Sequence, residues 1–370
     1  MWISQLDLTQ WRNHEFTRVV CEPGVTILLG SNGQGKTNIV EAVRYLATLG
    51  SHRVATTGPL IRDSHDTATI FAQLQHGERD VRVGLTLQRH GSNNATLNGN
   101  KAKVTEIPRW VSMMMFAPED ASIVRGEPSF RRQFMDELVV GGAPTMAGTL
   151  SDFERVLKQR NSLLKSLRSA HRGADLSTLD AWTESFAQAS ATIVADRVRY
   201  LQEITPGVAA EYDNLAGGDR VAARYVPKGY DLDQTDRDSI STAIREALES
   251  VRGDELERGM TLIGPHRDDV ELTIDGKLAR THASQGETWS LALALRLAMA
   301  SWMRATRASG DPIMILDDVF AELDARRREK LVNAIADYEQ LIITSAVEAD
   351  LPDGLEGRRL DVRKGVVSPR

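Results

Sequence analysis

The apolar positions of this chain change rhythm several times. Residues 1–29 read as short strands, and Val25-Thr-Ile-Leu-Leu29 is a continuous apolar run of the kind buried on both faces. A glycine-rich loop follows at once. Over 37–49 the period becomes helical, with Ile39, Val40, Val43 and Leu46 on one face. Residues 66–105 return to alternation, and Asn98-Gly99 predicts a two-residue hairpin turn.

From about 129 to 205 the chain is helical and charged. The segment 150–167 places Phe153, Val156, Leu157, Leu163, Leu164 and Leu167 at helical spacing, and a break follows at 171–175. A second helical pattern runs from about 177 to 203 with Leu179, Trp182, Phe186, Ile193, Val194 and Leu201. Two helices joined by a short turn predict an antiparallel helical hairpin. Residues 206–260 are mixed; the region after 261 is strand-like, then helical from Ser284. A strand at 312–316, a helix near 325–337 and a strand at 340–344 complete the pattern. The expected fold is α/β: a head made of residues 1–128 and 261–370, split by a helical arm at 129–260.

Composition narrows the function. The 370 residues, 41% hydrophobic, suffice for a sizeable core and more than one domain. Lys plus Arg is 45 and Asp plus Glu 51, a formal charge of −6, so any nucleic-acid surface must be a local patch. The lone cysteine, Cys21, rules out an internal disulfide and fits a reducing compartment. The N-terminal stretch lacks a basic segment followed by an apolar one, so no signal peptide is expected. The longest apolar run, 289–303, is too short to span a bilayer and contains Arg296. A soluble cytoplasmic protein without membrane contact is expected.

Three stretches carry chemistry. The first comprises Gly30, Ser31, Asn32, Gly33, Gln34, Gly35, Lys36, Thr37 and Asn38 and fits G-x-x-x-x-G-K-[ST]. Its glycines let backbone N–H groups wrap phosphates, Lys36 reaches the β- and γ-phosphates, and the Thr37 hydroxyl binds Mg²⁺. The second is Ile313-Met-Ile-Leu-Asp317-Asp318, an apolar strand delivering two carboxylates at its C-terminal end. Asp317 is the candidate Mg²⁺ ligand and Asp318 the group that polarises the attacking water. The third is Ser284-Gln-Gly286-Glu287, where a long apolar helix begins. Ser284-x-x-Glu287 is a capping box, and a helix start bearing Ser and Gly also suits a phosphate, because its first N–H groups are unpaired.

The order of these stretches, followed by Glu322-Leu323-Asp324 and with a helical insertion between the first and third, resembles ABC-type ATPase heads. That resemblance implies that Ser284 and Gly286 face the ATP held at Lys36 of a second copy, so that a two-fold dimer makes two composite sites. Among such heads the chain resembles the RecF family of bacterial DNA-repair ATPases, relatives of SMC proteins. The matching stretches are Trp11-Arg-Asn-His14, the loop from Gly30 to Asn38, Leu49-Gly-Ser-His-Arg53, Phe116-Ala-Pro-Glu-Asp120, Gly126-x-Pro-x-x-Arg131-Arg132, Gly264-Pro-His-Arg-Asp-Asp269 and Ala292-Leu-Ala-Leu-Arg-Leu-Ala298. They span nearly the whole chain.

Trp11 stands where phenylalanine is usual, and Glu287 where glutamine is common. Asp318 takes the place of the transporters' catalytic glutamate, a shorter acid that implies slow hydrolysis. Glu119 falls where a Q-loop glutamine would be, and Thr344-Ser345 where a switch histidine would be. Arg53 reads equally as a phosphate or dimer contact and as a surface arginine. Gly264 to Asp269 reads as an ion-pair turn in preference to a metal site.

The resemblance further implies a weak, DNA-stimulated ATPase that dimerises on ATP and closes on gapped or junction DNA without reading sequence. It implies RecR and RecO as partners, a link to loading of the RecA recombinase, and association with the nucleoid. The candidate DNA contacts are Arg131, Arg132, Lys158, Arg160, Lys165 and Arg168, with Arg155 and Arg172 in the same basic run. An alternative reading is the energy-coupling subunit of a membrane transporter, which requires a Q-loop and a compact helical subdomain. A structural SMC-like tether requires far more coiled coil than this arm contains.

Overall fold

The computed structural model describes residues 1–370 except 55, 170–175, 219, 308–309 and 353. The chain forms two compact units. One comprises Met1–Ala121, Gly207–Asp219 and Gln285–Arg370; the other comprises Ser122–Pro206 and Arg220–Ser284. This partition differs from the expected one at 122–128 and 261–284, which join the arm, and at 207–219, which joins the head. The reason is strand pairing: Asp269–Ile274 runs antiparallel to Val221–Val226, so 261–284 is stitched to the arm. Residues 207–219 lie against head elements, with Gly207 close to Ala298 and Lys330 donating to the Asn214 carbonyl.

The head holds two sheets. An antiparallel sheet of six strands has the order His14–Val20, Trp2–Trp11, Thr67–His76, Arg79–Gln88, Asn94–Leu97, Asn100–Ala102. The predicted turn is present: Asn98 and Gly99 have φ of 51° and 82°, the left-handed pair that such a turn requires. The second sheet has the order Val366–Pro369, Arg358–Arg363, Gly24–Leu29, Gln340–Ser345, Ile313–Asp317, Met113–Phe116. Its strands are parallel except for the terminal Val366–Pro369. All five residues of Ile313–Asp317 are buried, as a central parallel strand demands. Helix Lys36–Thr48 joins the same core, where Leu8, Ile39, Val43, Leu46, Ile70, Val83, Ile315 and Ile342 pack together. Each such side chain contributes roughly 1.5–3 kcal/mol by leaving water.

The arm holds the predicted helical pair. Helix Met146–Ser169 and helix Ser177–Leu215 meet where Phe153 lies 5.4 Å from Phe186 and where Arg160 donates to Thr183. That order of contacts is antiparallel. The break expected at 171–175 lies outside the described residues, as does Arg172. The second helix runs past the expected end near 203, through Pro206, to Leu215. Proline removes one backbone donor there but does not end the helix.

Candidate nucleotide site

Strand Gly24–Leu29 leads into the loop and the loop into helix Lys36–Thr48, the arrangement the sequence predicts. The loop is braced from two sides. Asn13 donates to the Gln34 carbonyl at 3.0 Å, and His14 meets the Gly35 carbonyl at 3.1 Å. From the C-terminal end, Lys364 N–H donates to Gln34 Oε1 at 2.8 Å and Gly365 N–H to the Gln34 carbonyl at 2.9 Å. A Cβ on Gly30 would lie 2.3 Å from the Val362 carbonyl oxygen, and one on Gly35, with φ of 116°, 2.7 Å from His14. Gly30 is therefore fixed by the close approach of backbone, and Gly35 by its left-handed φ and by the His14 and Asn13 side chains packed against it.

Asn38 sits beneath the loop. Its amide donates to Asn13 at 2.7 Å, its carbonyl accepts from the Trp11 indole at 2.7 Å, and its side-chain oxygen accepts from Arg53 at 2.9 Å. Arg12 grips Glu41 at 2.6 and 2.8 Å. Burial alone would raise the Glu41 carboxyl, but hydrogen bonds from Arg12 and Ser51 hold it below its usual range. The Trp-Arg-Asn-His stretch is thus the floor of the phosphate loop. Arg53 is held beside that floor.

Lys36 is buried and donates to the Gly30 carbonyl at 2.6 Å. Its ammonium lies 3.9 Å from Asp318 Oδ2. Strand Gln340–Ser345 separates the loop's strand from Ile313–Asp317, so the two motifs emerge at the same sheet edge. There Thr37 donates to Asp317 Oδ1 at 3.1 Å and Thr344 to the same oxygen at 2.6 Å. Burial, with the charges of Asp318 and Glu119, pushes the Asp317 carboxyl up to about 6 against those two hydrogen bonds. A buried carboxylate facing a hydroxyl, with unusual proton affinity, is a donor set suited to a hard divalent cation. Thr37 and Asp317 therefore fit Mg²⁺. Asp318 follows in a left-handed conformation, φ 51° and ψ 23°, with its carboxylate partly exposed.

Glu119 follows strand Met113–Phe116, the neighbour of Ile313–Asp317, and is exposed. The next residue, Asp120, accepts from the Ala117 N–H and pairs with the buried Arg296 at 2.6 Å. Arg296 belongs to helix Gln285–Thr306, whose start holds Gly286. Ser284 is exposed and immediately precedes that helix. A Cβ on Gly286 would lie 2.8 Å from the Arg327 guanidinium, which also donates to Ser290 at 3.1 Å and pairs with Asp324. Sequence reasoning missed both arginines. Arg296 lies in an apolar run, where a charge is itself a signal of a buried partner.

The arm corrects part of the basic run. Arg160 is buried and gripped by Glu255 at 2.6 Å, with Thr261 and Thr183 as further acceptors. Arg131 is buried and bound to Asp269 at 2.6 Å. Both guanidinium groups are buried and each already pairs with a carboxylate, fully buried for Glu255 and partly exposed for Asp269, so neither is presented to a phosphate. Arg132 is half-buried and donates to the Asp268 carbonyl at 3.1 Å. Burial, and then the nearby Arg197, lower its pKa. Lys158, Lys165 and Arg168 are exposed on helix Met146–Ser169, and exposed Arg155 pairs with Asp152.

The Gly264 to Asp269 stretch is a structural turn. Asp268 is fully buried and accepts from Tyr225 at 2.7 Å and Tyr230 at 2.5 Å. His266 packs near Phe153 and Phe186, and burial pushes it down to about 4. Among the described residues no cluster of His, Cys, Asp or Glu could hold a metal ion by itself, and no helix is long and apolar enough to cross a membrane.

A phosphate loop and paired acids on one edge of a parallel sheet, beside an antiparallel sheet, make the head an SMC-like ATPase head. Residues 2–356 match the RecF/RecN/SMC N terminal domain family. Two curated relatives named "DNA replication and repair protein RecF" are similar throughout. The one from Clavibacter sepedonicus is 42% identical over 99% of this chain and 95% of its own. The one from Streptomyces avermitilis is 43% identical over 99% of both chains. The chain belongs to the RecF family. Its fold is similar to a solved structure described as the recombination mediator protein RecF-ATPrS in the RecFOR pathway, with TM-score 0.89, 23% identity and coverage of 100% of this chain and 98% of that one. An Smc head bound to the C-winged helix domain of ScpA is similar at TM-score 0.56 and 15% identity, covering 100% of this chain and 96% of that one.

Proposed function

We propose that this chain is an ATP-dependent DNA-binding protein of recombinational repair and replication restart. The observation that carries the reading is the meeting of the two motifs. Thr37 and Asp317 touch at 3.1 Å while Lys36 and Asp318 lie 3.9 Å apart, all at one sheet edge. The residues from Gly30 to Asn38 bind the triphosphate, with backbone N–H groups and Lys36 supplying the positive field. Thr37 and Asp317 hold Mg²⁺, which when bound neutralises phosphate charge. Asp318 orients a water and accepts its proton as the water oxygen bonds to the γ-phosphorus and the bond to the ADP oxygen breaks, giving ADP and phosphate. The acid is short and its backbone conformation unusual, which favours slow turnover.

Ser284 and Gly286 of one copy meet the γ-phosphate held by the other, so ATP makes the homodimer and hydrolysis resets it. The exposed Lys158, Lys165 and Arg168 contact DNA phosphates at gaps or junctions, and DNA stimulates hydrolysis. RecR and RecO are the proposed partners, and help in loading RecA the proposed outcome, in the cytoplasm at the nucleoid. The relatives' names and the RecFOR description of the similar structure support this reading. Light scattering tests it. ATP, but not ADP, should double the mass of the wild type and not of Ser284→Arg. An unchanged mass with ATP, with and without DNA, overturns the composite site.

A further inference from the structure

We infer that Thr344 is a positioning residue of the hydrolytic site, tying the metal-holding acid to the water-activating one. The inference rests on the nucleotide-site reading above. Thr344 lies on strand Gln340–Ser345, between the phosphate-loop strand and Ile313–Asp317, in register with Leu28 on one side and Asp317 on the other. It is buried, with 1% of its surface exposed. Its hydroxyl oxygen lies 3.0 Å from the Asp318 N–H and 2.6 Å from Asp317 Oδ1.

These contacts fix the direction of the hydroxyl. A backbone N–H can only donate, so Thr344 Oγ1 accepts from Asp318. The single hydroxyl proton is then committed to Asp317 Oδ1. One side chain thus holds the carboxylate of the first acid and the backbone of the second.

Both anchors matter for geometry. Thr37 also donates to Asp317 Oδ1, at 3.1 Å. Thr344 gives that oxygen a second, shorter and buried donor, so the carboxylate's rotation does not rest on Thr37, the residue that would hold the cation, alone. Asp318 has φ of 51°, a left-handed conformation that is unfavourable for a non-glycine residue unless it is held. Among the described residues its N–H is fastened to strand Gln340–Ser345, through the Thr344 hydroxyl at 3.0 Å and the Thr344 carbonyl at 3.3 Å. Loss of the hydroxyl leaves the Asp318 N–H only the longer contact to the Thr344 carbonyl, and this loosened anchor lets the carboxylate drift from the line of attack.

Valine has threonine's shape without its hydrogen bonds, and serine has the bonds without the methyl. Thr344→Val should lower kcat for ATP about 10-fold to 100-fold, the scale of a misplaced catalytic group, while the affinity for ATP is kept. It should also raise the Mg²⁺ concentration needed for half-maximal turnover. Thr344→Ser should restore both. If Thr344→Val turns over ATP as wild type does, or Thr344→Ser is as impaired as Thr344→Val, the inference is overturned. Should Thr344→Val fail to fold, Thr344→Ala compared with Thr344→Ser makes the same test, since only the serine keeps the hydroxyl. Binding of a non-hydrolysable ATP analogue separates the levels. Wild type that binds none, or turns over no ATP, removes the nucleotide-site reading itself and this inference with it. Wild type that binds and turns over ATP while Thr344→Val matches it removes only the role of Thr344.

Discussion

The buried guanidinium of Arg296 lies 2.6 Å from the carboxylate of Asp120, one residue beyond Glu119. The pair ties the long helix Gln285–Thr306 to the loop that follows strand Met113–Phe116. Asp120 also accepts the Ala117 N–H at 2.9 Å, so the loop's shape depends on the same carboxylate. Removing one partner leaves the other charge buried, which costs about 3–5 kcal/mol. Arg296→Met should therefore lower the urea unfolding free energy by that amount. Arg296→Met with Asp120→Asn should cost less than the sum of the single changes, because the two share one interaction. Additive losses in that cycle would show that the pair is not coupled.

The basic run of the arm divides into two populations that different experiments separate. Arg160 is interior and bound to Glu255 at 2.6 Å, so Arg160→Met should cost several kcal/mol of stability, about 3–5 by the same reasoning. Lys158, Lys165 and Arg168 are exposed, so reversing all three should barely change stability. Under the proposed function it should weaken DNA binding for every sequence alike. The slope of log K against log salt should fall by roughly 0.9 per lost phosphate contact. Fluorescence anisotropy at several salt concentrations measures this. An unchanged slope in the triple variant would remove this face as the DNA contact.

The phosphate loop leans on residues more than 300 positions away. Gly365 has φ of 79°, and a Cβ there would stand 2.7 Å from the Asn13 carbonyl oxygen. Gly365→Ala should push the terminal hairpin off the loop, because backbone cannot yield as a flexible side chain does. Gln34 then loses the donors at 2.8 and 2.9 Å from Lys364 and Gly365. Weaker binding of an ATP analogue by calorimetry is expected, although the substituted residue belongs to no nucleotide motif. Binding equal to wild type would show that the loop is rigid without its C-terminal brace.

This last contact shows why some of the structure was legible and some was not. The phosphate loop, its strand and helix, the paired acids and the Asn98-Gly99 turn each arise from residues close in sequence, where local conformation and period decide the outcome. The antiparallel helical pair was legible for the same reason. Thr344 and Arg296 meet their partners across long stretches of chain, and although a charge in an apolar run signals a buried partner for Arg296, nothing nearby says that it is Asp120. Arg327 pairs locally with Asp324, but its contact with Ser290 is long-range. The basic run misled in part because charge alone does not reveal burial. Arg160 falls on the apolar stripe with Phe153, Val156 and Leu164, all buried, and that spacing marks an inward-facing cation in need of an acid. The attachment of 261–284 was not legible, because strand Asp269–Ile274 finds its partner in Val221–Val226, far earlier in the chain.

His266 gives the arm a pH dependence of defined sign. Its ring lies 6.2 Å from Phe153 and 5.9 Å from Phe186, and burial pushes its pKa from 6.5 down to about 4. One ring nitrogen, Nε2, meets the Thr261 carbonyl at 3.2 Å, while Nδ1 is buried with no hydrogen-bond partner. A second proton would sit on Nδ1 unpaired, so the neutral ring is the native form. Above pH 6.5 the residue is neutral in both states and its contribution is fully present. As pH falls from 6.5 to 4, the unfolded chain takes up a proton that the folded chain refuses, and stability is lost. The loss by pH 4 is at most about 3 kcal/mol, from 1.36 kcal/mol per unit. Chemical denaturation of wild type and His266→Phe across this range measures it. The wild-type curve should drop relative to the variant below pH 6.5, and parallel curves would show that the folded ring protonates as freely as the unfolded one.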